Sequence, residues 1–264
     1  MEDILRNAHT SRPMFSTTAR YLSSWALGLA WLPAICGAAE TNWLDVESRI
    51  QYGYYTEDPR AVAGVMELLA RSDTASASRS YYAGLANYRL TQLALAKDKS
   101  RAKDSAAACV NSLDQALKIQ KDFADALALQ SACLDVLAAL EAWRTPFAAS
   151  KSGTQLEKAR HLAPRNPRVL MLDAVELYER PKGSAAEKDR ALSGFKQAAA
   201  AFEVERQENE HAPGWGAAEA YTYLGRCYLD RGATLEARDA LERALLIAPE
   251  FAEARRLMTR IISG

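Results

Sequence analysis

The stretch Ala218–Phe251, AEAYTYLGRCYLDRGATLEARDALERALLIAPEF, decides how this chain folds. Apolar and small residues recur at three- and four-residue intervals on both sides of Gly232, the period of helices rather than strands. Gly232 suits the left-handed conformation that closes a helix, and Pro249, with no amide hydrogen, keeps the second helix from running on. Gly225 and Ala244 are small enough for the two helices, and a following pair, to approach closely. Tyr221, Leu224, Tyr228 and Leu241 fill the space between them.

The same arrangement recurs earlier in the chain. Cys109–Ala126 lies over Ala237–Ala254 without a gap, matching Leu113, Ala116, Leu117, Ile119, Phe123, Ala124 and Ala126 to Leu241, Ala244, Leu245, Ile247, Phe251, Ala252 and Ala254. A third copy ends at Leu156, Ala159, Leu162 and Pro164, and a looser one contains Ala191, Phe195 and Ala198. Four helical hairpins are therefore expected at about 78–120, 124–163, 167–209 and 217–248, with a final helix at 252–262. Ahead of them, Trp43–Tyr55 and Pro59–Ala70 read as two more helices, the second capped by Asp58 with Pro59 in its first turn. Arg71–Ser80 reads as a turn, Thr145–Pro146 with Lys151–Gly153 and Pro181–Ala185 as insertions, and Asn209–Gly216 as an irregular connection from which Trp215 packs back.

Tyr221, Leu224, Gly225 and Tyr228 fall at the spacing W/Y-x2-L-G-x2-Y, and Ala237, Leu241, Ala244 and Pro249 complete a pattern that resembles the tetratricopeptide repeat, a helical hairpin of about 34 residues. The segment Asn166–Tyr228 also looks like a pattern in exported bacterial tetratricopeptide proteins, a resemblance that brings no activity with it. It implies an all-α, right-handed superhelical array of hairpins, an α-solenoid, with a capping helix at the C-terminus. First helices of such an array line a concave groove. The candidate groove residues are Tyr81, Leu85, Tyr88 and Arg89; Arg168, Met171, Val175 and Tyr178; and Glu219, Thr222, Arg226, Leu229 and Asp230. They suit an extended peptide or a partner helix; a mildly amphipathic surface, or an internal helix filling the groove, is the alternative. The Lys and Asn with which some members clamp a chaperone's C-terminal carboxylate are missing, since Tyr81, Leu85, Ala128 and Ala132 stand at the comparable places.

Residues 1–39 read as a secretory signal peptide, with Met14 a possible true start. Arg6, Arg12 and Arg20 precede an apolar run from Trp25 to Cys36, and Gly37, Ala38 and Ala39 offer a cleavage site. A retained membrane anchor and a mitochondrial presequence are the alternatives; bulky Ile35 before Cys36 argues against lipidation. Residues 40–75 then form an N-terminal hairpin or cap, and 76–264 the repeat domain. Lys plus Arg and Asp plus Glu are 33 each; removing Arg6, Arg12, Arg20, Glu2 and Asp3 leaves 30 against 31. Near-neutrality points away from nucleic acid.

No constellation for chemistry is apparent. Cys109, Cys133 and Cys227 occupy places where such repeats carry alanine, and read as small packing residues in preference to a disulfide. His161 and His211 have no Cys/His pattern near them, and Lys151–Thr154 lacks the glycines of a phosphate loop. No enzymatic activity, cofactor or metal is expected. The sequence reads as a periplasmic or secreted scaffold or adaptor with a protein or peptide partner and no membrane span after signal cleavage. The alternative is a solute-binding or transport-accessory component holding a small ligand between the central hairpins.

Overall fold

A computed structural model describes residues 42–71, 75–141, 145–208 and 213–263. The leader expected at 1–39 lies outside the described residues. Eleven α-helices and no strands occur among those described. The N-terminal pair is α1 (Trp43–Tyr55) and α2 (Pro59–Ala70), with Asn42 and Asp58 accepting hydrogen bonds from the first free amides of each. Four hairpins follow: α3 (Ala77–Ala94) with α4 (Lys99–Ile119), α5 (Ala124–Leu140) with α6 (Thr145–Leu162), α7 (Pro167–Glu179) with α8 (Ala185–Glu208), and α9 (Ala217–Leu229) with α10 (Thr234–Ile247). The last helix is α11 (Ala252–Ser263). Each hairpin packs internally, and its second helix packs on the first helix of the next. The chain is thus an α-solenoid array of helical hairpins.

Two expected loops are helical instead. Ala77–Ser80 begins α3, because Ser76 caps it by accepting from the Arg79 amide. Thr145–Pro146 and Lys151–Gly153 belong to α6. Proline is tolerated in a first turn, where its missing amide hydrogen has no intrahelical role, and Gly153 costs the helix only about 1 kcal/mol. Pro181–Ser184 is a turn as expected, with Lys182 at φ 59°, and Ala185 opens α8.

The repeat register is visible in two glycines. A Cβ on Gly225 would lie 2.7 Å from Leu241 Cγ, and one on Gly84 would lie 2.6 Å from Leu113 Cγ. Leu113 and Leu241 are equivalent in the self-alignment, so the same helix–helix contact is built twice. Gly225→Leu is expected to cost about 1–3 kcal/mol by overpacking; a thermal melt unchanged from wild type would contradict the register. Gly232 sits at φ 70° and closes α9, its amide donating to Leu229 O while the Ala233 amide donates to Tyr228 O.

The cysteines correct the sequence reading. Cys109 on α4 and Cys133 on α5 form a disulfide, with Cα atoms 6.3 Å apart. Their repeat addresses fall on a second helix and on the next first helix, two surfaces that the array presses together, so two alanine-like sites face each other. Cys227 alone keeps the packing role: it is buried and unpaired, and burial pushes its thiol up to about 11. Breaking the bridge by Cys109→Ala with Cys133→Ala is expected to lower stability by about 2–4 kcal/mol, read as a urea midpoint that falls while the slope is retained.

Candidate functional site

The first helices α3, α5, α7 and α9 supply the inner face where binding is expected. Much of that face is already covered by the chain itself. Helix α1 lies against α3 and reaches the C-terminal end of the array. Trp43 stacks on Tyr82 at 5.5 Å, Tyr55 packs on Phe251 at 4.5 Å, and Glu57 pairs with Arg256 of α11 at 2.6 Å. Residues Glu47, Gln51 and Tyr55 recur every fourth position of α1 on the side it buries, beside Val46 and Ile50.

Those polar groups are satisfied across the face. Arg89 of α3 and Glu219 of α9 form an ion pair with both side chains nearly sealed from solvent. Gln51 Nε2 donates to Glu219 Oε1 at 2.9 Å, Tyr55 Oη donates to Glu219 Oε2 at 2.9 Å, and Arg89 Nε donates to Gln51 Oε1 at 3.0 Å. Burial alone would lower the Arg89 pKa, but Glu219 and the surrounding tyrosines hold it up. Glu47 accepts from the Gly214 amide at 2.5 Å and from Tyr82 Oη at 3.1 Å; burial still raises its pKa.

Trp215 closes this region. It is 1 % exposed, its Nε1 donates to Tyr81 Oη at 2.8 Å, and the Arg89 and Arg168 guanidinium carbons lie 5.2 and 5.9 Å from its ring. The next residue, Gly216, has φ 111°, and a Cβ there would stand 2.5 Å from Phe202 Cζ. Only glycine fits both demands. Arg168 donates to both carboxylate oxygens of Glu205, at 2.9 and 2.8 Å, and lies 3.7 Å from Asp125.

The predicted groove residues therefore divide. Tyr81, Leu85, Tyr88, Arg89, Arg168, Met171, Glu219 and Thr222 are buried. For these eight the expectation of an open groove is corrected: α1 and the Trp215 segment cover much of that surface. Val175, Tyr178, Arg226 and Leu229 remain partly exposed, and Asp230 is exposed. The Arg226 guanidinium lies 4.9 Å from the Tyr178 ring and 5.0 Å from the Tyr223 ring, with Glu179 at 3.1 Å and Glu253 at 3.8 Å. Tyr178 Oη donates to Asp230 at 2.8 Å. Tyr223 and Glu253 join this cluster without having been singled out from sequence. Tyr223 stands next to a groove position, Thr222, but nothing local reveals that α1 brings the Tyr54 ring to within 4.1 Å of the Arg89 guanidinium.

Asp135 on α5 is bonded across to α6. It accepts from Ser152 Oγ at 2.5 Å, and burial raises its pKa from the usual 3.8 to about 6. A carboxyl whose folded pKa is raised favours folding most below its unfolded pKa, and that contribution is lost as pH rises from about 4 to about 6. Two pKa units set an upper bound of about 3 kcal/mol, reduced by partial exposure. Asp135→Asn is expected to raise the melting temperature relative to wild type at pH 7.5 and to leave it nearly unchanged at pH 4. Equal shifts at both pH values would contradict the assignment.

Among the described residues no group of three or more His, Cys, Asp or Glu is placed to hold a metal, and no helix is long and apolar enough to cross a membrane. No protein-family model and no curated protein matches the chain. Solved structures do. The chain is similar to the HusA haemophore from Porphyromonas gingivalis, with TM-score 0.54 and 18 % identity over 72 % of this chain and 94 % of that one. At that identity the likeness concerns the helical-repeat fold. Acl4, the assembly chaperone of RpL4, aligns at 14 % identity over 84 % of this chain and 96 % of that one, with TM-score 0.35.

Proposed function

We propose that the protein is a non-enzymatic, exported scaffold or adaptor of the tetratricopeptide type, which binds a segment of another protein in the cell envelope. The observation that carries this reading is the uncovered part of the inner face. There Tyr178, Arg226, Glu179 and Asp230 offer aromatic area and charge on rigid helices, linked to one another and backed by the core where Tyr178 meets Phe195. Aromatic and arginine side chains on a preformed surface are the usual anchors of protein recognition. The buried Cys109–Cys133 bridge supports export, since such bonds persist in oxidising compartments. A segment bound in a groove usually buries less than a standard interface of about 1,600 Å2, and micromolar affinity is expected.

Affinity capture from an envelope fraction tests this, comparing wild type with Tyr178→Ala/Arg226→Ala. The variant is expected to lose specific partners while keeping its fold by circular dichroism. Identical partner lists would count against binding at this face.

A second reading, a solute-binding component, rests on a polar cavity of about 260 Å3 between α6, α7 and α8, lined by Arg160, Arg180, Arg190, Asp173 and Glu176. That volume lies below the roughly 300–1,000 Å3 of ordinary ligand sites, and Arg160 and Arg180 are engaged by Asp173 and Glu176. It ranks second. A thermal-shift screen of metabolites, with haemin included because the structural neighbour is a haemophore, discriminates the two; a saturable shift would favour the solute reading.

A further inference from the structure

Helix α1 is fastened differently on its two sides. On one side it packs along α2 and α3, and its Trp43 ring stacks on Tyr82 of α3. A Cβ on Gly53 of α1 would lie 2.7 Å from Val62 Cγ2 of α2, so the two helices approach as closely as glycine allows. Val46 and Ile50 of α1 and Val62, Val65 and Leu69 of α2 are all buried. Apolar side chains packed this closely make two helices move as one body.

On the other side α1 reaches across the array through the ends of its side chains. Gln51 and Tyr55 donate to Glu219 of α9, Glu47 accepts from the Gly214 amide, and Glu57 pairs with Arg256 of α11. The rings of Tyr54 and Tyr55 touch Phe251. Polar contacts of this kind are exchanged for contacts with water at little net cost, provided that no buried charge is stranded. That condition is met here. With α1 away, Glu219 keeps the Arg89 guanidinium of α3 and the Gly216 amide. Glu47, whose carboxyl burial holds above its usual range, returns to water.

The corner between α1 and α2 is itself held to the far end of the array. Glu57 stands there at φ 56°, a conformation uncommon outside glycine, asparagine and aspartate, and its carboxylate is the group that meets Arg256.

We infer that α1 and α2 form a gate that swings off α9 and α11 as one body while α3 to α10 stay folded, and so admits or excludes whatever binds the inner face. Closed, the chain covers its own binding surface, an autoinhibitory contact that acts alike on a protein segment and on a solute.

Native-state amide exchange of the full chain in low urea tests this. Amides of α1 and α2 are expected to share one opening constant, at least about tenfold larger than that of α4 and α10. Tyr55→Phe with Glu57→Asn keeps the ring and a residue tolerant of positive φ, and should raise that constant about tenfold in α1 and α2 alone. Thr222→Cys places a thiol on the covered face. Its labelling, read at that position by peptide mass spectrometry, should follow the same opening constant. Exchange of α1 and α2 only on global unfolding, exchange of α1 without α2, or an equal effect of the double variant on every helix would overturn the gate. So would labelling of the Thr222→Cys thiol only on global unfolding. Opening constants that change with protein concentration would overturn it in favour of exchange of the hairpin between two copies of the chain.

Discussion

Glu219→Ala is expected to destabilise the protein by about 3–5 kcal/mol, because it strands the Arg89 guanidinium in the interior. Arg89 is 1 % exposed, and the other groups around it, Gln51, Gln92 and the rings of Tyr54, Tyr88 and Trp215, carry no compensating charge. The same substitution removes the acceptor of Gln51 and Tyr55, so α1 loses its link to α9 together with the ion pair. Amide exchange in α1 should therefore accelerate more than exchange in α4 or α10. The paired replacement Arg89→Met/Glu219→Leu is expected to recover most of the loss, since two apolar side chains leave no unpaired charge. Urea unfolding of the three variants checks this. A pair no more stable than Glu219→Ala alone would show that the network, not the unpaired charge, carries the effect.

Trp215→Ala should cost about 3–5 kcal/mol as well, for a different reason. The indole fills the space between the guanidinium groups of Arg89 and Arg168 and donates to Tyr81, so its loss opens a cavity and frees a buried hydroxyl. Trp215→Phe keeps most of the volume and gives up the hydrogen bond, and about 1 kcal/mol is expected. Thermal melts distinguish the two substitutions, and near-equal losses would mean that the indole N–H, rather than cavity formation, dominates.

Both residues were visible in the sequence, but with different meanings. Trp215 stands in a Pro/Gly connection, where a large aromatic has few options other than packing back, and it does so. Glu219 occupies a position that first-helix geometry assigns to the groove, and the assignment to that face holds. Of the two readings of that face, an open groove or one filled by an internal helix, the second applies at Glu219. Its cover comes from Gln51 and Tyr55, 168 and 164 residues away in sequence. A polar residue on one face of an isolated helix gives no indication of a partner at that distance.

Local physics made the rest legible. Caps such as Asn42, Asp58 and Asn166 place helix starts, three- and four-residue periodicity places their buried sides, and Gly84 with Gly225 records how closely neighbouring helices approach. These signals act over a few residues or recur with the repeat, so the hairpins and their order were legible without the tertiary structure. Tertiary structure alone decided that α1 covers the inner face, that Cys109 meets Cys133, and that the surface left for a partner gathers around Arg226. Each depends on where the array brings distant turns of chain together, and no local propensity encodes that distance.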